Sequence, residues 1–499
     1  MKHREAGIAL RRFGLGPRSG DLDRIAGDPR GYVLAALLRK DGAVVSDSEL
    51  EPSHLSFQAM RAAQMENRSA RRLLRDARPS AGPEATSPAV IMQQAEKSSG
   101  NAPGNAVEKP PKPGEIRREV FREEARVRLT RAATTDQPFL ERLVYFWSNH
   151  FSVSAQKGQM VRVLAGAFER EAIRPHVLGR FAEMLKAVEQ HPAMLIYLDN
   201  AQSIGPNSPA GRNRGKGLNE NLAREILELH TLGVSGGYNQ TDVTSFAKII
   251  TGWTVADPQM AANLASSPRV MAQFGGREIV PGRFIFTPQR HEPGAQMVLG
   301  KRYEDTGQVS GEAVLTDLAR HPATARHIAT KLAQHFVADK PPPELVKRLE
   351  SAFAKSGGDL AAVSRALVDA PECWTLPARK VVPPNDFVVS LIRAFDLKPR
   401  PPEAMRIAAA IGQPLWTPPS PKGWPDDDDA WMGPSAVRER LRIAERAARE
   451  IDRSLDPRAV ATDLFGEALS NEAKLAIERA EAREQGFELL MMSPEFLRR

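Results

Sequence analysis

Cysteine is almost missing from this chain. Cys373 is the only one in 499 residues, which excludes intrachain disulfides and any metal site built on clustered thiolates. A metal would have to be bound by His, Asp or Glu. Long apolar runs are missing as well: no stretch approaches the ~18 to 20 apolar residues that cross a bilayer, so no membrane span is expected. The basic start, MKHREAGIALRRFGLGPRSG, offers only Ala6 to Leu10 as an apolar patch. That is shorter than the roughly 7–15 residues of a secretory core, and the expected location is cytoplasmic. There is no G-x-x-x-x-G-K-[ST], no G-x-G-x-x-G after a strand and no H-E-x-x-H. No attachment motif supports a haem at His150 or His230.

What is present is an ordinary globular composition, 41% hydrophobic and 26% charged, with a net charge of +8. The excess is uneven. Residues 1–140 hold 24 Lys/Arg against 18 Asp/Glu, so little positive charge is left for the rest, and neither a basic face on the main body nor a nucleic-acid partner is expected. The length allows several domains, or one large domain carrying an insertion.

Apolar residues recur at spacings of three and four along most of the chain, which is the helix period. A compact helical unit is expected over 1–50, a low-complexity insertion that is partly disordered over 51–114, a central helical core over 115–380, and a C-terminal helical part of the same domain over 381–499. Within the insertion, 57–78 reads as helical and 79–114 has the Pro/Gly/Ser/Lys bias of a linker. The alternation of Phe284 and Phe286 among Gly and Pro suggests one small β-hairpin near 284–303. The fold class is therefore mainly α: a large multi-helical domain with that single hairpin.

Chemistry-capable side chains are densest in LNENLAREILELHTLG at 218–233. On a helix, Leu222, Ala223, Ile226, Leu227 and Leu229 form an apolar arc, with Asn219 as N-cap and Gly233 at the end. Asn221, Glu225 and Glu228, at i, i+4 and i+7, share the opposite arc, the spacing by which helical bundles present carboxylates. If His150, from FWSNHFSV, and His291, from the hairpin, came within reach, the five would make a mixed N/O metal set suited to iron, manganese or zinc. Glu225, Glu228 and His291 are the candidates for acid–base work. The same pattern also fits a solvated face laced by Glu220–Arg224 and Arg224–Glu228 ion pairs. His230 falls on the apolar side, as a core histidine would. The four aspartates of PPSPKGWPDDDDAW lack the alternating ligands of a calcium loop and read as solvated, while Trp416, Trp424 and Trp431 read as pins holding that loop to the core.

The strings LRRFGLGP, FWSNHFSV, HPAMLIYLDN, NENLAREILELHTLGVSGGYNQTDV, ITGWTV, FTPQRHEPGAQMVLG, HPATARHIATKLAQHFVADKPP and GQPLWTPPSPKGWP, in that order, resemble the bacterial family known as domain of unknown function 1800. The resemblance spans nearly the whole chain except about 51–114. It implies a large helical protein, often encoded beside a sulfatase-like family of exported proteins, and so a sulfatase-like partner and export in its company; it implies no reaction. Two classes of function follow. One is a polar, metal-binding pocket with hydrolytic or redox activity; the other is a non-enzymatic helical adaptor or scaffold acting with a partner protein.

Overall fold

Proline opens helices in this protein rather than breaking them. Its missing N–H is no loss at the first helical position and its fixed φ suits that position, and this is where Pro29, Pro113, Pro138, Pro192, Pro322, Pro384, Pro434 and Pro457 stand. That use lets a chain with 39 prolines be overwhelmingly helical. The computed structural model describes residues 2–46, 48–76, 111–212, 217–266, 278–375 and 377–499.

Seven helices frame the sites discussed below: α1 (Ser53–Asp76), α2 (Pro113–Thr134), α3 (Pro138–His150), α4 (Gln159–Phe168), α5 (Asn221–Glu225), α6 (Pro322–Phe336) and α7 (Pro384–Ala394). Three helices run on into five-residue π-helical turns, at Ala9–Phe13, Glu169–Ile173 and Ile226–His230. Each of these turns buries a polar residue: Arg12, Glu169 and His230. Most of the expected linker, 79–110, lies outside the described residues. Of the insertion, Ser53–Asp76 and the opening of α2 are described, and both are helical.

The apolar faces meet in one large core that runs from Ala6 to Val389, and a second cluster, from Val382 to Leu497, packs the C-terminal helices together. The strands differ from the single expected hairpin. Phe284–Phe286 pairs antiparallel with Trp253–Val255, and a separate tight hairpin joins Gln296–Val298 to Lys301–Tyr303. Leu299 and Gly300 make its two-residue turn, both with positive φ, as such hairpin turns require. Among the described residues, sheet is confined to these two pairs.

Candidate functional site

The 218–233 segment keeps its expected faces at its start, with Glu220 rather than Asn219 at the N-cap, and departs from them at its end. Asn219 Oδ1 accepts from the Asn221 N–H at 2.9 Å, and Leu222, Ala223, Ile226 and Leu227 are buried. Asn221, Glu225 and Glu228 are half-buried together on the other side. The expected Glu220–Arg224 pair is made, at 3.1 Å. The π turn at Ile226–His230 then adds a residue to the turn and shifts the last side chains round the axis. Leu229 is left half-exposed and His230 is wholly buried.

That turn also leaves carbonyls without helical partners, and side chains, one local and two from elsewhere in the chain, supply the hydrogens. Thr231 Oγ1 donates to the Ile226 carbonyl at 2.6 Å. His327 Nε2 lies 3.0 Å from the Leu229 carbonyl, and His150 Nε2 lies 3.1 Å from the His230 carbonyl. Each imidazole therefore donates from Nε2. Burial, helped by Lys331, holds His150 well below its ordinary value and His327 down to about 4, so both rings are neutral. His230 Nδ1 pairs with Glu189 Oε1 at 2.8 Å. His150 is thus a cap on the end of the very helix whose carboxylates it was expected to join.

Glu225 and Glu228 sit beside one another. Burial, with the Glu228 charge adding to it, raises the Glu225 carboxyl above its usual range, and burial with the same Glu228 charge raises the Tyr238 hydroxyl. His291 lies in a different setting. Its Nδ1 is 2.9 Å from the Thr251 carbonyl and its Nε2 3.1 Å from Asp305 Oδ1, so both ring nitrogens are engaged where the 291–294 turn meets the strand pair. The structure brings together Glu225 with Glu228, and His150 with His230 and His327. Among the described residues, no three of His, Cys, Asp and Glu form a group that could hold a metal ion. The run GVSGG at 233–237 matches a hydrolase nucleophile elbow in letters only, because Ser235 lies in an exposed turn with no strand before it.

A large cleft lies elsewhere among the described residues. A cleft of about 1100 Å³ opens between α1, α2 and the start of α4, with Thr254, Val255 and Arg290 at its far side. None of the five expected metal ligands lines it. Its walls carry Arg61, Arg68 and Arg71 from one face of α1, Lys112 just before α2, Arg117 and Arg118 from α2, and Lys157 and Arg290, against only three carboxylates. Those three are engaged: Asp199 with Lys157 at 2.5 Å, Asp257 with Arg61 at 4.0 Å, and Glu115 with the Lys112 backbone N–H at 2.9 Å. Arg68, Arg71, Arg117 and Arg118 have no ion-pair partner among the described residues. Burial and the nearby Arg117 hold the neighbouring Arg162 below its ordinary value, which marks a positive field at this mouth. The floor is apolar, formed by Met160, Val161, Ile196, Ile204 and Val255.

The sequence contained this cleft without displaying it. The basic excess of residues 1–140 is the signal, but a charge count carries no position, and α1 lay in a segment read as low-complexity. In the DDDD loop Asp427 and Asp429 are exposed, as a solvated loop requires, whereas Asp426 and Asp428 are half-buried and engaged. Asp426 pairs with His335 at 2.9 Å, and Asp428 accepts from the Val381 N–H at 2.8 Å. Lys380, itself buried, reaches Asp339 and the Asp426 carbonyl. The tryptophans do pin the segment, Trp416 against Phe121 and Trp424 against Trp431.

A family profile described as "Protein of unknown function (DUF1800)" matches residues 8–498. No curated protein and no solved structure matches the chain.

Proposed function

Because this chain belongs to the DUF1800 family of proteins of unknown function, a membership that carries no reaction with it, we propose from the geometry that it is a helical binding protein which captures an acidic segment of a partner protein in the basic cleft. The supporting observation is the lining itself, eight Lys/Arg against three engaged carboxylates over an apolar floor. Clusters of arginine recognise acidic motifs through charge-assisted, bidentate hydrogen bonds. Size favours a segment over a metabolite, since about 1100 Å³ exceeds the ~300–1,000 Å³ usual for small-ligand pockets. The stretch 77–110 joins the two helices at the cleft and holds three Lys/Arg and three Asp/Glu, so it brings no net counter-charge. This is the adaptor class of the two raised by the sequence.

Fluorescence anisotropy with a labelled oligoglutamate tests the proposal. The wild type binds it, and the double variant Arg68→Glu, Arg118→Glu binds at least about tenfold more weakly. Equal binding by wild type and variant overturns it, as does binding of duplex DNA with no binding of oligoglutamate.

One observation favours a second reading, in which Glu225 and Glu228 are an acid–base pair for hydrolytic or redox chemistry. Two adjacent carboxylates, one of them raised by burial and by the charge of the other, are what such a pair needs. Its metal-binding form, around iron, manganese or zinc, would need His150 and His291 to leave the partners they hold here and join Asn221 and the two carboxylates. Metal analysis of purified protein beside Glu225→Ala and Glu228→Ala decides that form: stoichiometric metal lost in both variants supports it, and no stoichiometric metal in the wild type rejects it.

A further inference from the structure

A groove of about 320 Å³ lies between α7 and two further helices, α8 (Pro401–Ile411) and α9 (Pro434–Glu450). It shares no lining residue with the basic cleft. Each helix gives it apolar positions from one face: Leu391 and Ile392 from α7, Ala404 and Ile407 from α8, Ile443 and Ala447 from α9. Leu391, Ala404 and Ala447 are buried beneath it, whereas Ile392, Ile407 and Ile443 are only half-buried. One half-exposed isoleucine is ordinary. Three on one concave floor form a contiguous apolar patch, the mark of a surface that something covers.

Charge is placed round this floor and not on it. Its three carboxylates are all engaged: Glu403 with Arg446 at 2.5 Å and Arg400 at 3.5 Å, Glu450 with Arg400 at 3.7 Å and Arg446 at 3.8 Å, and Glu439 with Arg442 at 3.2 Å. Lys398 and Arg406 stand exposed at the same rim and have no ion-pair partner among the described residues. Arg406 spends one hydrogen on the Pro402 carbonyl at 3.3 Å, within its own helix. Five cations therefore face three carboxylates, and the rim lacks negative charge.

We propose that this groove binds a fatty-acid-like amphiphile, an alkyl chain ending in one carboxylate. The chain lies on the three isoleucines, and the carboxylate meets Lys398 and Arg406 at the rim, where a guanidinium can take it bidentately. Size fits a small molecule, since about 320 Å³ falls at the lower end of the ~300–1,000 Å³ usual for such pockets. An alkylammonium ion would meet two unpaired cations and no unpaired carboxylate. A second copy of the chain would set two rims of the same sign against each other.

Isothermal titration calorimetry on the full chain tests this with octanoate and decanoate, against octanol and octylammonium. Arg68→Glu, Arg118→Glu is titrated beside the wild type, so that binding at the basic cleft is told apart. The expected result is saturable octanoate binding that persists in this cleft variant, tightens about threefold per methylene in decanoate, and is at least about fivefold weaker for octanol. Octylammonium should not bind. Lys398→Glu, Arg406→Glu should weaken octanoate about tenfold. Ala410→Trp, which fills the groove from an exposed position on α8, should abolish binding. The charge variant alters only exposed side chains, so its result stands even where the tryptophan disturbs its helix. Four results overturn the proposal: no saturable octanoate binding, binding lost in the cleft variant, binding untouched by Lys398→Glu, Arg406→Glu, or dimerisation in sedimentation that Ala410→Trp abolishes.

Discussion

His230 and Glu189 form a hydrogen-bonded pair at 2.8 Å with both side chains wholly excluded from solvent. The pair ties the π turn that ends the 218–233 segment to the helix Phe181–Glu189. Removing one member of such a pair leaves the other buried without its partner, which costs about 3–5 kcal/mol. Glu189→Ala should lower the urea midpoint accordingly, and Glu189→Gln, which can still accept from the imidazole, should lower it less. Equal losses for Ala and Gln would show that packing rather than the hydrogen bond carries the pair.

Acid lability follows from the capping histidines. His150 and His327 are held below their ordinary value in the folded protein, His327 at about 4, while in the unfolded chain histidine titrates near 6.5. Between those limits the unfolded state binds more protons, so stability is full above about pH 6.5 and falls as pH drops towards 4. Glu171, lowered to about 2 by His191 and Ser53 in spite of burial, extends the loss below pH 4.5 in the same direction. Denaturation series at several pH values should show this slope, flattened in His327→Gln. A stability flat between pH 7 and 4.5 would contradict the neutral-cap description.

Gly252 has φ +84°, and a Cβ there would lie 2.8 Å from the Thr287 carbonyl oxygen, beside the Thr287 N–H that donates to the Gly252 carbonyl at the end of the strand pair Trp253–Val255 with Phe284–Phe286. Gly252→Ala therefore meets both a disfavoured backbone conformation and a backbone clash, and should destabilise by roughly 1–3 kcal/mol. Gly20, with φ +74° and open space around it, is the control: Gly20→Ala should cost less, because only the backbone conformation opposes it. Thermal melts of the two variants check the order.

Helix faces were legible because burial of one stripe enforces a 3.6-residue repeat. The arc of Leu222, Ala223, Ile226 and Leu227, the core position of His230 and the Glu220–Arg224 pair all follow from that repeat. Its failures are local and physical. The π turn adds a residue that no periodicity announces, so Leu229 left the buried arc. Asn239 caps the helix Gln240–Ile249, accepting from the Thr241 and Asp242 N–H groups, although Thr241 is itself a cap-forming type; nearby cap-forming residues compete, and backbone geometry decides. The partner of Phe284–Phe286 lies some thirty residues upstream, beyond what alternation within one strand can indicate. His327, which completes the pair of imidazole caps, sits nearly a hundred positions from the carbonyl it serves. The cleft escaped notice because Arg61, Arg68 and Arg71 stand on α1 while their opposing cations stand on α2, and only tertiary packing brings the two rows together.

The most direct test of acidic-segment binding at the cleft is the salt dependence of oligoglutamate affinity, measured for the wild type and for Arg68→Glu, Arg118→Glu. Pairing through several arginines at an open mouth is screened over about a Debye length. Affinity should therefore fall steeply between low and physiological salt in the wild type, and start weak with a shallower slope in the variant. A salt-insensitive affinity, or identical slopes in the two proteins, would contradict binding through these arginines.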